Sequence, residues 1–240
     1  MTHDRYDSRW GVVGKGDRSP DIDEDLRLYM LQVYNYMGGG LLVTAVIAYL
    51  AAVSGLYLEL YKTGLFWVIL LAPVILVFVL SIRLHRISVR TAQIMFWLYA
   101  GLIGLSLAGI FVIYTSLSIA QTFGVSAAMY LGTSLYGYTT GRDLSGIGTF
   151  LLMALFGLII AGLVNLLLAS ATVQFALSAI GVVIFTGLTA WDTQRIRKAF
   201  FDHEGQADRR KIAVIGALTL YLDFLNLFLM LLRFFGRRRD

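Results

Sequence analysis

The chain contains no cysteine among its 240 residues. Disulfides, thiolate zinc sites and cysteine nucleophiles are therefore excluded. Charge is scarce as well: Asp, Glu, Lys and Arg make up 15% of the residues, where a soluble domain carries about 25%. Histidine occurs at His3, His85 and His203, all in the tail or in connections, and no pair has the spacing of a helical metal site. A metallohydrolase of the His-Glu-x-x-His type is thus unsupported. Of the two prolines, Pro73 falls inside an apolar run, where it frees a backbone carbonyl and predicts a kink. Internal repeats and low-complexity tracts are not evident. The net charge of +5 is not gathered on a basic, aromatic-interleaved face, so nucleic acid is not an expected partner.

What is present is apolar sequence in long runs. Hydrophobic residues make up 58% of the chain, and the runs cover roughly 34–54, 65–82, 91–115, 125–138, 147–168, 171–191 and 212–235. A bilayer core needs about 20 apolar residues per helical span. The expected fold is therefore an all-α integral membrane protein of six or seven transmembrane helices in one domain. Residues 1–33 read as a polar, flexible N-terminal tail, 34–236 as the transmembrane domain and 237–240 as a basic tail. The tail lacks the basic-then-apolar order of a cleavable signal, so the first span reads as a retained signal anchor.

Lys and Arg alternate by connection. The N-terminal tail holds Arg5, Arg9, Lys15, Arg18 and Arg27, and the first connection only Lys62. The second holds Arg83, Arg86 and Arg90, and the third (116–124) has none. Arg142 marks the fourth, the fifth near 169–170 is empty, and the sixth carries Arg195, Arg197, Lys198, Arg209, Arg210 and Lys211. This predicts a cytoplasmic N-terminus with even-numbered connections inside. The tail "RFFGRRRD" conflicts, because a seventh full span puts Arg237, Arg238 and Arg239 outside. Either the last segment re-enters, or it spans and the earlier helices fix the topology; its length favours spanning.

Small residues predict close helix contacts: Gly101, Gly104, Ser106, Ala108 and Gly109 in the third run, and Gly157 and Gly162 in the fifth. In "YGYTTGRDLSGIG" (136–148), Asp143 or Ser145 is placed to cap the following helix.

Thirteen of the 15 acidic residues lie in tails or connections, leaving Asp192 and Asp223. Asp223 is the only charge in "TLYLDFLNLFLMLL", and a lone carboxylate in hydrocarbon costs several kcal/mol unless it faces an interior partner. Thr219, Asp223 and Asn226 recur at helical spacing and form one polar stripe. Asp192, followed by Arg195, Arg197 and Lys198, also fits an interfacial ion pair, with Thr189 one turn back on nearly the same face. Counted from residue 212, Asp223 lies about 16 Å along its helix, whereas Asp192 is much nearer the surface. The two meet only if the cytoplasmic side opens inward or the last helix begins outside the bilayer.

At these residues the chain resembles a known family. "GLTAWDTQRIRK" and "TLYLDFLNLFLMLLRFFG" are similar to signature segments of the Bax-inhibitor (transmembrane Bax inhibitor motif) family. "YGYTTGRDLS", followed by "GLIIAGLVNLLL", resembles its third signature, and "LRLYMLQVYNYMGGGL" the entry of bacterial members. The resemblance covers most of 26–236. It implies a seven-helix bundle with the C-terminal helix central, in the bacterial inner (cytoplasmic) membrane. Bacterial members include a pH-sensitive calcium leak in which two aspartates on the last two helices share a proton; by motif position these are Asp192 and Asp223. An arginine ending the second helix is linked to that pair, and Arg83 is the candidate lock. A glutamate found in the second helix of some members has no counterpart, since 65–82 contains no acid.

Two carboxylates close together in a poorly hydrated site cannot both ionise cheaply, so they titrate as a unit. With a shared proton they bond the sixth helix to the seventh and close a path; ionised, they repel and attract a divalent cation. Calcium takes 6–8 oxygens, so Asn226, Thr189, Thr219, backbone carbonyls and water are the candidate supporting ligands of a weak site. The first expected function is a proton-gated calcium leak, with calcium as the permeant ion and no organic cofactor. The alternative is a membrane interaction protein that modulates a membrane protease or stress response, with structural aspartates. An intramembrane aspartyl protease lacks its required motif pairs, so no enzymatic activity is expected.

Overall fold

The structure, a computed structural model, describes residues 20–83, 87–203 and 205–239, with side chains at all of these except 20, 21, 78–83, 206 and 207. Among the described residues there are nine helices and no named strand. In chain order they are α1 (Pro20–Val53), α2 (Leu56–Tyr61), α3 (Leu65–Arg83), α4 (Val89–Leu107) and α5 (Gly109–Ile113). These are followed by α6 (Ser116–Thr139), α7 (Ser145–Leu168), α8 (Ala171–Asp202) and α9 (Gln206–Phe235). Each apolar run of the sequence falls in these helices to within two residues at its ends, with 91–115 divided between α4 and α5.

Local chemistry sets the breaks. Ser88, Thr115 and Ser170 each accept a hydrogen bond from the backbone N–H three residues on, satisfying a donor at the starts of α4, α6 and α8. Gly55, at φ 76°, supplies the left-handed residue that separates α1 from α2. At the end of α7, Ala169 takes φ 48°, and the Asn165 side chain holds the turn by accepting from the Ser170 N–H at 3.2 Å. Asp143 accepts from the Ser145 N–H at 3.3 Å and its hydroxyl at 2.8 Å, as expected of a residue opening α7.

Five helices are long and apolar enough to cross a membrane: Ile22–Val53, Val89–Ile113, Ser145–Leu168, Ala171–Asp202 and Asp208–Phe235. The described part of α3 adds a shorter apolar stretch, Leu65–Val77. Helix α6 has the length but is diluted by inward polar residues, among them Thr122, Ser126 and Ser134. Outward faces are strongly apolar. Leu166 and Leu167 of α7 are 78% and 89% exposed, with Leu163, Ile160 and Phe156 exposed beside them. Each such side chain gains about 1.5–3 kcal/mol on leaving water, so this surface belongs in lipid.

Helix α1 begins at Pro20, inside the stretch expected to be tail, and buries Leu26, Tyr29, Met30 and Val33. The boundary at 33 is therefore corrected. The acidic segment Asp21–Asp25 opens the helix, and the apolar positions after it recur at helical spacing against the core. Residues 1–19 lie outside the described residues.

Helix α9 packs against α8, α1, α6 and α4, and two thirds of its apolar window is buried. Its first turns lie near Asp25, where Arg209 comes within 3.9 Å. Its 30 residues span about 45 Å, and the tail beyond it pairs with the α5–α6 junction: Thr115 donates to the Arg237 carbonyl at 3.0 Å and Arg239 to the Ile113 carbonyl at 2.9 Å. The helix thus runs from one end of the bundle to the other.

Close approach is used selectively. A Cβ on Gly104 would meet the Thr44 carbonyl at 2.8 Å, as expected of an α1–α4 contact. Gly157 and Gly162 have nothing within 4 Å of that position, so the close contacts expected there are absent; Gly157 is exposed and Gly162 half-buried. Polar bonds fix the rest. The Thr44 hydroxyl donates to the Ala100 carbonyl at 2.9 Å and lies 2.6 Å from the Tyr221 hydroxyl, tying α1, α4 and α9 together.

Candidate functional site

Asp192 does not sit at a helix end. Helix α8 continues beyond it to Asp202, about 15 Å further, and α9 begins with the polar turn around Asp208 to Lys211 before its apolar part. Both helices therefore run past the apolar edge, which is the condition under which the two aspartates meet. Their register is pinned on either side. A Cβ on Gly216 would lie 3.1 Å from Ile196, and one on Gly181 would lie 2.9 Å from Met230. Between these contacts the side chains of Asp192 and Asp223 come within hydrogen-bonding reach of each other.

The pair is enclosed. Asp192 is 5% exposed and Asp223 6%. Arg195 lies 3.7 Å from Asp192 Oδ1, but its own side chain is largely exposed and stacks over Trp191. No N–H or O–H group of the described residues donates to Asp223 Oδ2, which is buried. A buried polar atom left unpaired costs about 1–3 kcal/mol, so a proton held between the two carboxyl groups would be stabilised here.

The remaining candidates are placed differently. Thr189 is buried one turn before Asp192, yet its hydroxyl donates to the Phe185 carbonyl at 2.8 Å. Thr219 donates to the Ile215 carbonyl at 3.2 Å and the Asn226 amide to the Leu222 carbonyl at 2.9 Å, and both side chains are half-buried. These three donors serve their own helices. Arg83 ends α3, and its side chain lies outside the described residues. Among the described residues no group of three or more His, Cys, Asp or Glu side chains could hold a metal ion.

Sequence reasoning missed the contribution of α6. Thr122, Ser126, Tyr130 and Ser134 recur every four residues and form a buried polar stripe, which is a helical signal available in the sequence. Ser134 lies 3.0 Å from the Thr193 hydroxyl and 2.7 Å from that of Tyr34, linking α8, α6 and α1. The buried Tyr130 hydroxyl is within reach of Ser134 but makes no well-formed hydrogen bond, and it lies within electrostatic range of both aspartates. One turn past Ser134, Gly137 admits the Ala190 backbone, since a Cβ there would overlap the Ala190 carbonyl oxygen. Tyr130 and Ser134 also line a cavity of about 490 Å³ between α1 and α6, walled by Met30, Leu41, Phe123 and Phe224.

The sequence model of the family described as "Inhibitor of apoptosis-promoting Bax1" matches residues 26–240. The chain belongs to the Bax-inhibitor family. Similar proteins include the inner membrane protein YbhL of Escherichia coli K12, 49% identical over 93% of this chain and 100% of the relative. An uncharacterized protein of Rickettsia prowazekii is 46% identical over 93% of this chain and 95% of its own length. An uncharacterized protein of Caulobacter vibrioides is 40% identical over 91% and 92%. This Bax-inhibitor family chain is thus a membrane protein whose apolar helices lie in a lipid bilayer.

Proposed function

We propose that this protein is a pH-sensitive calcium leak of the bacterial inner membrane, gated by Asp192 and Asp223. The observation that carries the reading is the enclosed contact of two carboxyl groups from consecutive helices. Seven helices cross the bilayer on this reading, namely α1, α3, α4 with α5, α6, α7, α8 and α9, with α9 central. The N-terminus is cytoplasmic, as the Lys and Arg distribution favours. The inner-membrane relative of E. coli supports the location.

Protonated once, the pair bonds α8 to α9 and the path is closed. Loss of that proton leaves two negative charges in a poorly hydrated space, where they repel each other and attract a divalent cation. Backbone carbonyls and water complete its shell, with Thr189, Thr219 or Asn226 taking part only after rotating away from their own helices. Arg83 acts as a lock if its side chain reaches the pair.

Calcium flux in proteoliposomes of the full chain, followed from pH 5 to 8, tests this. Flux rises with pH in the parent protein, and Asp192→Asn and Asp223→Asn change both its level and its pH dependence. Unchanged flux in both variants would sink the reading. It would leave the aspartates as a structural tie between α8 and α9 in a protein that acts through partners, such as a membrane protease.

A further inference from the structure

The far end of α9, beyond Phe235, is not left free. Gly236 is extended there (ψ 131°), and so are Tyr114 (ψ 153°) and Thr115 (ψ 143°) at the α5–α6 junction. The two extended stretches meet as an antiparallel bridge between Tyr114 and Arg238. The Thr115–Arg237 and Arg239–Ile113 backbone bonds flank that bridge, so Tyr114 and Arg238 oppose each other as a non-hydrogen-bonded pair. The Arg237 N–H donates to Ser118 Oγ at 2.9 Å, and the Ser118 N–H donates to Thr115 Oγ1 at 3.3 Å. The cap of α6 and the tail thus form one hydrogen-bonded unit, which the Arg239 guanidinium joins through Ser116 Oγ at 3.3 Å. Gly236 makes room for it, since a Cβ there would lie 2.6 Å from the buried Tyr114 ring.

Near this end the side chains of α9 meet their neighbours through rings, Phe228 on Phe123 at 6.1 Å and Phe234 on Phe175 at 4.6 Å. Apolar contacts are non-directional and tolerate a small tilt, whereas four hydrogen bonds of defined geometry do not. The lever is long. Measured from the Gly216–Ile196 contact, Asp223 lies about 10 Å and Phe235 about 28 Å along the helix, so about 3 Å of travel at the far end moves Asp223 by about 1 Å. A hydrogen bond between carboxyl groups does not survive that displacement. We propose that residues 236–239 are a clasp that holds the far end of α9 on α6, keeps Asp223 against Asp192, and raises the leak when released. The effect on the leak rests on the function proposed above; the hold on α9 does not.

The chain has no cysteine, so an introduced pair reports without background. A non-hydrogen-bonded antiparallel pair has Cα atoms about 4.5 Å apart, within reach of a disulfide. The full-length variant with Tyr114→Cys and Arg238→Cys should therefore oxidise readily. Its calcium flux in proteoliposomes should match the parent's when oxidised and rise about fivefold on reduction, the factor that one net hydrogen bond gives the closed state. Deleting residues 237–240 should raise flux at least as much, and Ser118→Ala less. Spin labels on Leu117→Cys and Arg233→Cys, both exposed at this end, follow the α6–α9 distance without reference to flux. Deleting the tail should broaden that distance distribution. Failure of the cysteine pair to oxidise overturns the clasp. So does flux unmoved by reduction and by deletion in a protein whose flux responds to Asp192→Asn and Asp223→Asn. If flux is indifferent to both aspartates, the leak reading falls, and the distance decides the clasp: broadened on deletion it stands, unchanged it is overturned.

Discussion

Gly137→Ala is the sharpest test of how α6 is seated on α8. A Cβ at Gly137 would lie 2.8 Å from the carbonyl carbon and 2.9 Å from the Cα of Ala190, besides overlapping the carbonyl oxygen. Carbon atoms in good contact sit about 3.5–4.0 Å apart, so the helices must part by several tenths of an ångström at least. The obstructing atoms are backbone, which cannot rotate aside. Overpacking of this kind costs about 1–3 kcal/mol or more, partly offset by the helix preference of Ala over Gly, worth up to about 1 kcal/mol. Backbone obstruction puts the net cost at the upper end, about 2 kcal/mol, and at about 2–4 °C per kcal/mol for a chain of this size the midpoint of thermal unfolding in detergent should fall by about 4–8 °C. Gly157→Ala is the matched control, because nothing lies within 4 Å of its added Cβ. It should leave the midpoint unchanged or raise it slightly. If the two variants unfold at the same temperature, the α6–α8 contact described above is wrong.

Three further outcomes follow from the same contacts. Asp223→Ala leaves Asp192 buried without its partner on α9 and should cost about 1–3 kcal/mol in the same assay, whereas Asp223→Asn keeps a hydrogen-bonding side chain and should cost less than about 1 kcal/mol. In a double-mutant cycle, Thr44→Val and Tyr221→Phe should couple by about 0.6 kcal/mol and no more than about 1.7, since Thr44→Val removes the partner of the Tyr221 hydroxyl whereas Tyr221→Phe leaves the Thr44 hydroxyl donating to the Ala100 carbonyl. Outside the membrane, the ammonium of Lys198, 2.7 Å away, holds the Asp143 carboxyl down from 3.8 to about 2, with the Ser145 hydrogen bonds helping. A depressed carboxylate contributes stability that is fully present above the unfolded value and is lost as pH falls through the folded one. The stability difference between the parent and Asp143→Asn, read by thermal unfolding, should therefore be constant from pH 5 to 8 and fade between about pH 4 and 2. The group is exposed, so the difference should be small and reduced by salt.

Most of the helical architecture was legible because membrane segments announce themselves by length and hydropathy. The breaks were only partly so: Ser88, Thr115 and Ser170 cap helices, but the stretch 116–124, read above as a connection, is the first part of α6, whose polar residues interrupt the apolar signal. The start of α1 was not, because its first turns are acidic and only the later spacing of Leu26, Met30 and Val33 reveals a buried face. Gly157 and Gly162 misled for a physical reason. A small residue permits close approach but does not require it, and which side of α7 meets protein is decided by its neighbours. The two aspartates were visible as isolated charges in apolar sequence. Their meeting was not, because depth counted from the edges of apolar runs ignores the polar turns through which α8 and α9 continue. The α6 stripe was present in the spacing of Thr122, Ser126, Tyr130 and Ser134, but mild hydroxyl residues give a weaker signal than a lone carboxylate.

The way α8 is held on α9 restricts how an aspartate gate could open. Gly216 against Ile196 and Gly181 against Met230 bracket the acid pair. Sliding one helix along the other by a turn would drive bulkier neighbours into both glycine positions at once, which close-packed interiors resist. Separation of the carboxyl groups by a longitudinal shift is therefore disfavoured. Rotation of the side chains, or a small tilt hinged at one glycine contact, separates them without breaking both. Tyr130 stands where such a movement would be felt, packed on Phe224 with centroids 5.6 Å apart and carrying a hydroxyl that makes no well-formed hydrogen bond and lies within electrostatic range of the pair. On the proposed reading it is the group that would satisfy the displaced carboxylate. Tyr130→Phe should then shift the pH at which calcium flux rises while leaving the midpoint of thermal unfolding in detergent within about 2 °C of the parent, since the lost hydroxyl makes no well-formed hydrogen bond in the structure. A variant with unaltered pH dependence would remove Tyr130 from the gate.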